Sequence, residues 1–377
     1  MEWELTLSRI TPDQSQQLDS IRALSALVVL LGHTNQTILL PTLKAGSVFV
    51  GFFTQLSVMV FFVLSGFLIG KSVCNNIAKN HGFSIKQYAR DRALRLYPPL
   101  IVAIILIALL AAIAPLFFPS GTQQLLTIPG AKFVRTEFTA VAKQLFGALA
   151  FLNEFKTTTP TANGPLWSLS IEAWYYVVAG ALFLWTSRKA AAIALLVITI
   201  VITRKNQLFY MLAPIWFSGF GLAFVHQNRP QMNNRLFGWL FAILTIAVAA
   251  SVALVLFGDQ LGKGVWLDRM NHFRLISGLW FASFMALIMG GGARSPVIFH
   301  KQAVYSYTLY VIHFPIMLFI LGMTQTLIYG SVMMSVVVSA VTIVISITAA
   351  KIIAAYAEDK QWIRSTASRA INLVVEK

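Results

Sequence analysis

The sequence predicts an all-α protein, a polytopic membrane helical bundle of about ten transmembrane helices. The first observation is composition: of the 377 residues, 57% are hydrophobic and only 11% are charged, whereas a soluble domain has about 25% charged residues. The second is that apolar runs of about 20 residues, long enough to cross a bilayer, recur along the chain. The mean hydropathy of +0.73 agrees with both observations. No soluble domain is visible, so residues 1–377 are predicted to form a single transmembrane domain.

The apolar segments follow one another along most of the chain. Ten candidate spans lie near residues 20–40, 48–70, 98–118, 164–186, 189–203, 207–225, 236–257, 273–292, 303–322 and 330–355. The fifth of these is the shortest. One further segment, 137–153, is apolar on one side only and is predicted to be an interfacial or re-entrant helix.

The distribution of basic residues predicts the orientation. If the N-terminus is cytoplasmic, eighteen Lys and Arg residues fall on cytoplasmic segments and ten on outer segments. Cytoplasmic loops of membrane proteins are enriched in these residues, so both termini are expected in the cytoplasm of a multi-pass cytoplasmic-membrane protein. The net charge of +16 then matches anionic lipid headgroups and is not attributed to nucleic acid. The single cysteine, Cys74, excludes an internal disulfide and a cysteine metal cluster.

Few ionisable residues lie within the predicted spans, and such residues usually mark a functional interior. They are Arg22 and His33 in the first span, Glu172 in the fourth and His313 in the ninth. Arg22 and His33 are eleven residues apart, which places them on nearly the same helix face about 16 Å apart along the axis. Glu172 lies about 12 Å and His313 about 15 Å into their helices, and His33 lies near the middle of the membrane. Three helices with a titratable group at similar depth predict a buried site.

Several kinds of chemistry fit two histidines and a carboxylate. A neutral imidazole can take a proton from a hydroxyl, and a carboxylate can orient the ring or stabilise its charged form. The same groups can simply tie helices together through hydrogen bonds. Two His and one Glu can also bind zinc, although no HExxH or similar spacing supports a metal site, and none is predicted.

A basic segment, SIKQYARDRALRLYPP, precedes the third span. It contains Lys86, Arg90, Arg92 and Arg95, and the last two share a helix face because they are three residues apart. Such a segment is typical of a basic helix at a lipid surface. It is also suited to docking phosphates, because arginine binds phosphate oxygens in a bidentate manner. The number of charges does not separate these two interpretations.

A small-residue segment, FFVLSGFLIG, lies in the second span. Gly66 and Gly70 allow the backbone to approach a neighbouring helix or a ligand closely. Ser65 is not within the GxSxG pattern of a nucleophilic serine, so it is interpreted as packing or polar lining.

Five stretches together resemble the acyltransferase-3 family of integral membrane acyltransferases. LDSIRALSALVVLLGHT resembles the family's opening element and FFVLSGFLIG its second-helix motif. RDRALRLYP resembles its Arg-x-x-Arg motif, while WSLSIEAWYY and SYTLYVIHFP resemble two later elements. They occur in the family's order between residue 18 and about residue 315, and so cover most of the chain.

The resemblance implies an O-acyltransferase that moves an acyl group, usually acetyl, from acyl-CoA to a hydroxyl of a carbohydrate or lipid-linked glycan. It implies that His33 is the essential histidine and that Arg22 is its partner. It further implies that Arg92 and Arg95 bind the donor and that Glu172 and His313 are recurrent polar positions. Acetyl-CoA is then a donor substrate, and no metal is required. The family's hydrolase-like C-terminal domain is not visible here, so direct transfer or hand-off to another protein is expected.

The resemblance, taken with these residues, implies one expected mechanism. The acyl-CoA nucleotide is expected to dock at Lys86, Arg90, Arg92 and Arg95, with Arg22 near the donor's path into the bundle. His33 acts as general base or carries the acyl group transiently, while Glu172 or His313 orients it. A proton-coupled secondary transporter that uses the buried His and Glu groups as a relay remains the main alternative. A non-enzymatic scaffold or flippase partner is the second alternative, but it gives the buried Arg and His no purpose.

Overall fold

The computed structural model describes residues 10–43, 46–118, 135, 137–228, 232–260 and 265–359. Every regular element in these ranges is helical, which confirms the predicted all-α class. The α-helices are α1 (Pro12–Thr34), α2 (Leu40–Leu43), α3 (Ser47–Asn80), α4 (Ile85–Phe117), α5 (Ala142–Leu149), α6 (Leu166–Leu184), α7 (Lys189–Thr203), α8 (Gln207–Asn228), α9 (Asn234–Phe257), α10 (Trp266–Met289), α11 (Ser306–Ile328) and α12 (Val332–Ala357).

Nine helical segments in the described ranges are long and apolar enough to cross a membrane, so the chain is a polytopic helical bundle. Each coincides with a predicted span. The remaining predicted span, 189–203, is the helix α7, whose 15 residues rise only about 22 Å, short of the ~30 Å hydrocarbon core of a bilayer. The segment 137–153, predicted as an interfacial or re-entrant helix, contains the eight-residue α5.

The chain divides into two compact units. The first comprises Met1–Ser25, Phe52–Tyr88 and Glu172–Gln302, and the second comprises Ala26–Gly51, Ala89–Ile171 and Ala303–Lys377. Sequence-distant segments therefore build each unit, and several helices contribute to both.

In the first unit, α3 and α8 pack through glycines. A Cβ atom on Gly66 would lie 2.0 Å from the carbonyl oxygen of Trp216, and one on Gly219 would lie 2.0 Å from that of Val63. Gly70 is one turn further along α3, and its Cβ would meet Ala223 of α8 at 2.5 Å. The close approach predicted for Gly66 and Gly70 is thus an approach between helices, as in other small-xxx-small pairs of membrane helices.

In the second unit, α11 is largely buried from Ser306 to Gly322 and packs against α12. Between α1 and α2 the chain forms a π-helical turn, Asn35–Leu39, which contacts both α11 and α12. Beyond this turn the hydroxyls of Thr42 and Ser335 lie 3.1 Å apart and join α2 to the start of α12. These contacts hold the end of α1 against α11.

Candidate active site

The second unit brings two of the predicted site residues together. Nδ1 of His33 lies 2.9 Å from Nε2 of His313, and the planes of the two rings are within 7° of parallel. The two residues are 280 positions apart in the chain. His313 is only 1% exposed, whereas His33 is half-buried. His33 is therefore the more exposed member of the pair.

The hydrogen bonds of the pair assign its protons. Nδ1 of His313 lies 3.0 Å from the carbonyl oxygen of Leu309, and a carbonyl can only accept, so this nitrogen carries the hydrogen. In neutral His313 the other nitrogen, Nε2, is then an acceptor, and His33 must donate to it from Nδ1. This arrangement leaves the lone pair on Nε2 of His33. That lone pair is what a general base or an acyl-accepting nucleophile needs.

A proline and an asparagine secure the helix that carries His313. Pro315 lies inside α11 and has no N–H, so the carbonyl of Val311, four residues earlier, lacks its usual helical donor. Nδ2 of the buried Asn163 donates to this carbonyl at 2.8 Å. Ser168 lies within hydrogen-bond distance of Tyr310, with 2.6 Å between the two hydroxyl oxygens. Two motifs that are far apart in the sequence are therefore joined within one turn of His313.

The backbone around His33 is also unusual. The π-helical turn Asn35–Leu39 begins two residues after it, and sequence reasoning did not predict this turn. The sidechain hydroxyls of Thr34 and Thr37 are buried there and have no hydrogen-bond partner among the described residues. π-turns within α-helices occur frequently at functional sites because they displace side chains from regular helical positions.

Glu172 belongs to a different cluster, in the first unit. Its Oε1 atom accepts hydrogen bonds from Ser65 and, at 2.5 Å, from Tyr176. Nε1 of the buried Trp216 donates to the hydroxyl of Ser65 at 3.2 Å. Ser65 and Glu172 are half-buried. Ser65 is thus hydrogen-bonded to a predicted site residue, a role that its sequence context did not indicate.

The predicted donor-binding residues differ in their surroundings. Arg22 forms an ion pair with Asp19 at 2.9 Å, one helical turn away on α1. Lys86 and Arg90 are exposed on α4, whereas Arg92 and Arg95 are half-buried. At 100° per residue, Arg92 lies on the side of α4 opposite to Arg90.

An apolar groove lies beside this basic segment in the second unit. Its volume is about 490 Å³, and residues of α4 and α12 line it, among them Leu94, Tyr97, Ile101 and Tyr356. Arg90 shares the α4 face of this groove, because it precedes Leu94, Tyr97 and Ile101 at helical spacings. The hydroxyl of Tyr97 donates to the carbonyl of Leu149 at 3.2 Å, which anchors α4 beside α5.

One site residue carried no signal in the sequence. Arg135 lies in the segment between α4 and α5, and its guanidinium stands over the ring of Phe314 at 5.3 Å. Phe314 in turn meets the ring of His33 edge-on, with 5.3 Å between centroids. Within the described parts of the chain, no group of three or more His, Cys, Asp or Glu side chains is placed to hold a metal ion.

Comparisons with known proteins agree with the motifs. A family model described as an acyltransferase domain matches residues 15–351. An uncharacterized protein of Haemophilus influenzae is 28% identical over 131 residues, which are 32% of this chain and 45% of the relative. The peptidoglycan O-acetyltransferase OatA of Listeria monocytogenes is 29% identical over 161 residues, which are 43% of this chain and 23% of OatA.

These matches thus cover less than half of each relative's length. No solved structure matches the chain. The family match, in contrast, extends over most of the 377 residues and includes all five motifs, from the start of α1 to α12. The chain therefore belongs to the acyltransferase-3 family of membrane acyltransferases.

Proposed function

We propose that this protein transfers an acyl group, acetyl in the first instance, from acyl-CoA to a hydroxyl of a carbohydrate or lipid-linked glycan of the cell envelope. Membership of the family supports acyl transfer, and the name of the relative OatA supports an O-acetylated glycan. The observation that carries the proposal is the His33–His313 pair, whose hydrogen bonds leave a free lone pair on the more accessible ring.

In the proposed reaction, the acceptor hydroxyl donates a hydrogen bond to Nε2 of His33. Its oxygen attacks the thioester carbonyl as its proton passes to Nε2, so that a C–O bond forms. The C–S bond then breaks, and the CoA thiolate takes the proton back from His33. His313 is a positioning residue, since it accepts from Nδ1 of His33 and fixes the tautomer of the base. Transient transfer of the acyl group to Nε2 is the covalent variant of this scheme.

The donor is proposed to dock on the basic segment of α4. Arg92 and Arg95 bind phosphate oxygens of CoA, and the exposed Lys86 and Arg90 make the first electrostatic contact. Arg22 assists the donor from α1, although its ion pair with Asp19 already compensates part of its charge. This scheme requires the basic segment to be cytoplasmic, as the distribution of Lys and Arg suggests, with both termini on the same side.

Glu172 is proposed to be a positioning residue. Its carboxylate accepts from Ser65 and Tyr176 and so fixes the polar face of α3 in the first unit.

The function is tested with purified full-length protein in lipid nanodiscs, isotope-labelled acetyl-CoA and a panel of glycans, with the products measured by mass spectrometry. The substitution His33→Ala should reduce the rate of acetyl transfer by about 10²- to 10⁴-fold, which is the usual contribution of a general base. His272→Ala is the matched control, because His272 is exposed on α10. Full activity of His33→Ala would refute the proposed base.

Donor docking is tested separately. Arg92→Ala and Arg95→Ala should each raise the KM for acetyl-CoA about tenfold or more, the value of a hydrogen bond to a charged group. Arg188→Ala, which removes an exposed charge between α6 and α7, should leave KM unchanged. If the arginine variants of α4 behave like Arg188→Ala, the donor does not bind there.

A further inference from the structure

Arg135 is a cation that lies beside the histidine pair. It is half-buried, and its Nε atom is inaccessible and has no hydrogen-bond partner among the described residues. Ion pairs such as those of Arg22, Arg90 and Arg269 with acidic residues occur in the described ranges, and Arg135 is not a member of any of these three. Burial lowers the pKa of the Arg135 guanidinium from its usual value, but an arginine keeps its charge at neutral pH.

The position of this charge is defined by Phe314. The guanidinium lies 5.3 Å from the centroid of the ring, and the ring of His33 meets the same phenyl group edge-on. Gly164 lies beside Phe314, where a Cβ atom would come within 3.6 Å of the ring, so the ring is packed on that side. The charge of Arg135 is close enough to His33 for the two side chains to interact electrostatically.

A partly buried positive charge without an anionic partner is unfavourable, because it has lost hydration and gained no ion pair. The cation–π contact with Phe314 offsets only part of that loss. An anion from a ligand would compensate the remainder. The reaction proposed above produces such an anion next to His33, when the thioester carbonyl becomes tetrahedral.

We infer that Arg135 binds the carbonyl oxygen of the donor's acyl group and stabilises the oxyanion that forms on it. This inference rests on the proposed acyltransferase function and adds a catalytic residue to it. As the acceptor oxygen bonds to the carbonyl carbon, the π electrons of the C=O bond move onto oxygen, and Arg135 donates hydrogen bonds to that oxygen. When the C=O bond re-forms, the CoA thiolate leaves, and the oxygen is again a neutral carbonyl.

This role differs from recognition of an acidic acceptor, the other use of an arginine in a glycan-modifying enzyme. An oxyanion partner acts mainly in the transition state, so its removal lowers kcat while leaving KM nearly unchanged. A residue that binds an acceptor carboxylate contributes to ground-state binding. Its removal raises the acceptor KM, and only for acidic acceptors.

The test uses the full-length protein in nanodiscs with labelled acetyl-CoA, one neutral acceptor glycan and one acidic acceptor glycan. Arg135→Ala should lower kcat by about 10²- to 10³-fold with both acceptors, the effect of removing one oxyanion donor, and change each KM by less than about threefold. Arg135→Lys should retain more activity than Arg135→Ala, because the charge remains. Added guanidinium ion should restore part of the activity of Arg135→Ala and none of the activity of His33→Ala.

Three results would overturn the inference. The first is an unchanged kcat in Arg135→Ala while His33→Ala is inactive, which leaves the proposed function intact. The second is a raised KM confined to the acidic acceptor, which assigns Arg135 to acceptor recognition. The third is a loss of activity that follows a lower unfolding temperature in both Arg135 variants and is not restored by guanidinium, which assigns it a structural role. Failure of the wild-type protein to transfer acetyl to any glycan would instead reject the proposed function itself.

Discussion

The substitution Gly66→Ala should move α3 away from α8 and disturb the adjacent polar cluster of Ser65, Glu172 and Tyr176. The new Cβ would lie 2.0 Å from the carbonyl oxygen of Trp216 and 2.9 Å from the amide nitrogen of Phe220. Both are backbone atoms, so no side-chain rotation relieves the overlap. Ordinary contact begins at 3.4 Å, which requires the helices to move apart by about 1.4 Å at this point.

The expected loss of stability follows from that displacement. Overpacking a tight contact costs about 1–3 kcal/mol. The same movement would lengthen the 3.2 Å hydrogen bond between Trp216 and Ser65 past the normal limit, and its loss costs about 0.5–1.5 kcal/mol more. Gly66→Ala should therefore lower the free energy of unfolding by about 1.5–4.5 kcal/mol. It should also reduce activity, since Ser65 donates to Glu172.

Gly221→Ala is the matched control. Gly221 lies on α8 as well, and a Cβ atom there would meet no heavy atom within 4 Å. Both variants are purified in the same mixed micelles, and unfolding is followed by tryptophan fluorescence during denaturant titration. If Gly66→Ala is within about 0.5 kcal/mol of Gly221→Ala, α3 and α8 do not pack through this glycine.

Three further predictions concern the two polar clusters. His313→Leu should lose about 10²-fold or more in kcat, while His313→Gln should lose less, because the Gln oxygen can still accept from Nδ1 of His33; equal rates in the two variants would exclude the assigned tautomer. Asn163→Ala should cost about 1–3 kcal/mol of unfolding free energy, because the carbonyl freed by Pro315 loses its donor. That cost should be smaller in a Pro315→Ala background, where the new backbone N–H of residue 315 can donate to the carbonyl of Val311. A double-mutant cycle that shows no coupling between the two substitutions would contradict this account. Glu172→Gln should unfold at nearly the wild-type denaturant concentration and Glu172→Ala at a lower one, since the Gln oxygen still accepts from Tyr176; identical midpoints for the two variants would argue against that bond.

Much of the architecture was predictable from the order of residues. A bilayer offers no partner for backbone N–H and C=O groups, so each apolar run of sufficient length must be a helix. In the part of the chain that the structure describes, nine of the predicted spans are long helices for this reason, and the fold class is confirmed. Whether α7 belongs with them could not be decided from composition, because its sequence is as apolar as its neighbours and only its length falls short.

The site was predictable in part. Because ionisable groups are costly in apolar helices, His33 and His313 were predicted to belong to the site. The structure brings these two side chains into hydrogen-bond contact. Glu172, which its similar depth suggested as a third member, is hydrogen-bonded to Ser65 and Tyr176 within the first unit, and its part in the site stays a prediction. Depth along a helix was readable from the sequence, whereas the direction of a side chain around its axis depends on which neighbours pack there.

The sequence by itself determined that this chain is a helical membrane protein with motifs of the acyltransferase-3 family, and which few polar residues lie within its spans. Only the tertiary structure decided their partners. It placed His33 against His313 across 280 residues, supplied Asn163 to the carbonyl that Pro315 leaves open, and put Arg135 over Phe314. The physical reason is that helix formation in lipid is local, being satisfied by hydrogen bonds within each segment. The proton positions and charges of the site depend on contacts between segments, and no periodicity in the chain records them.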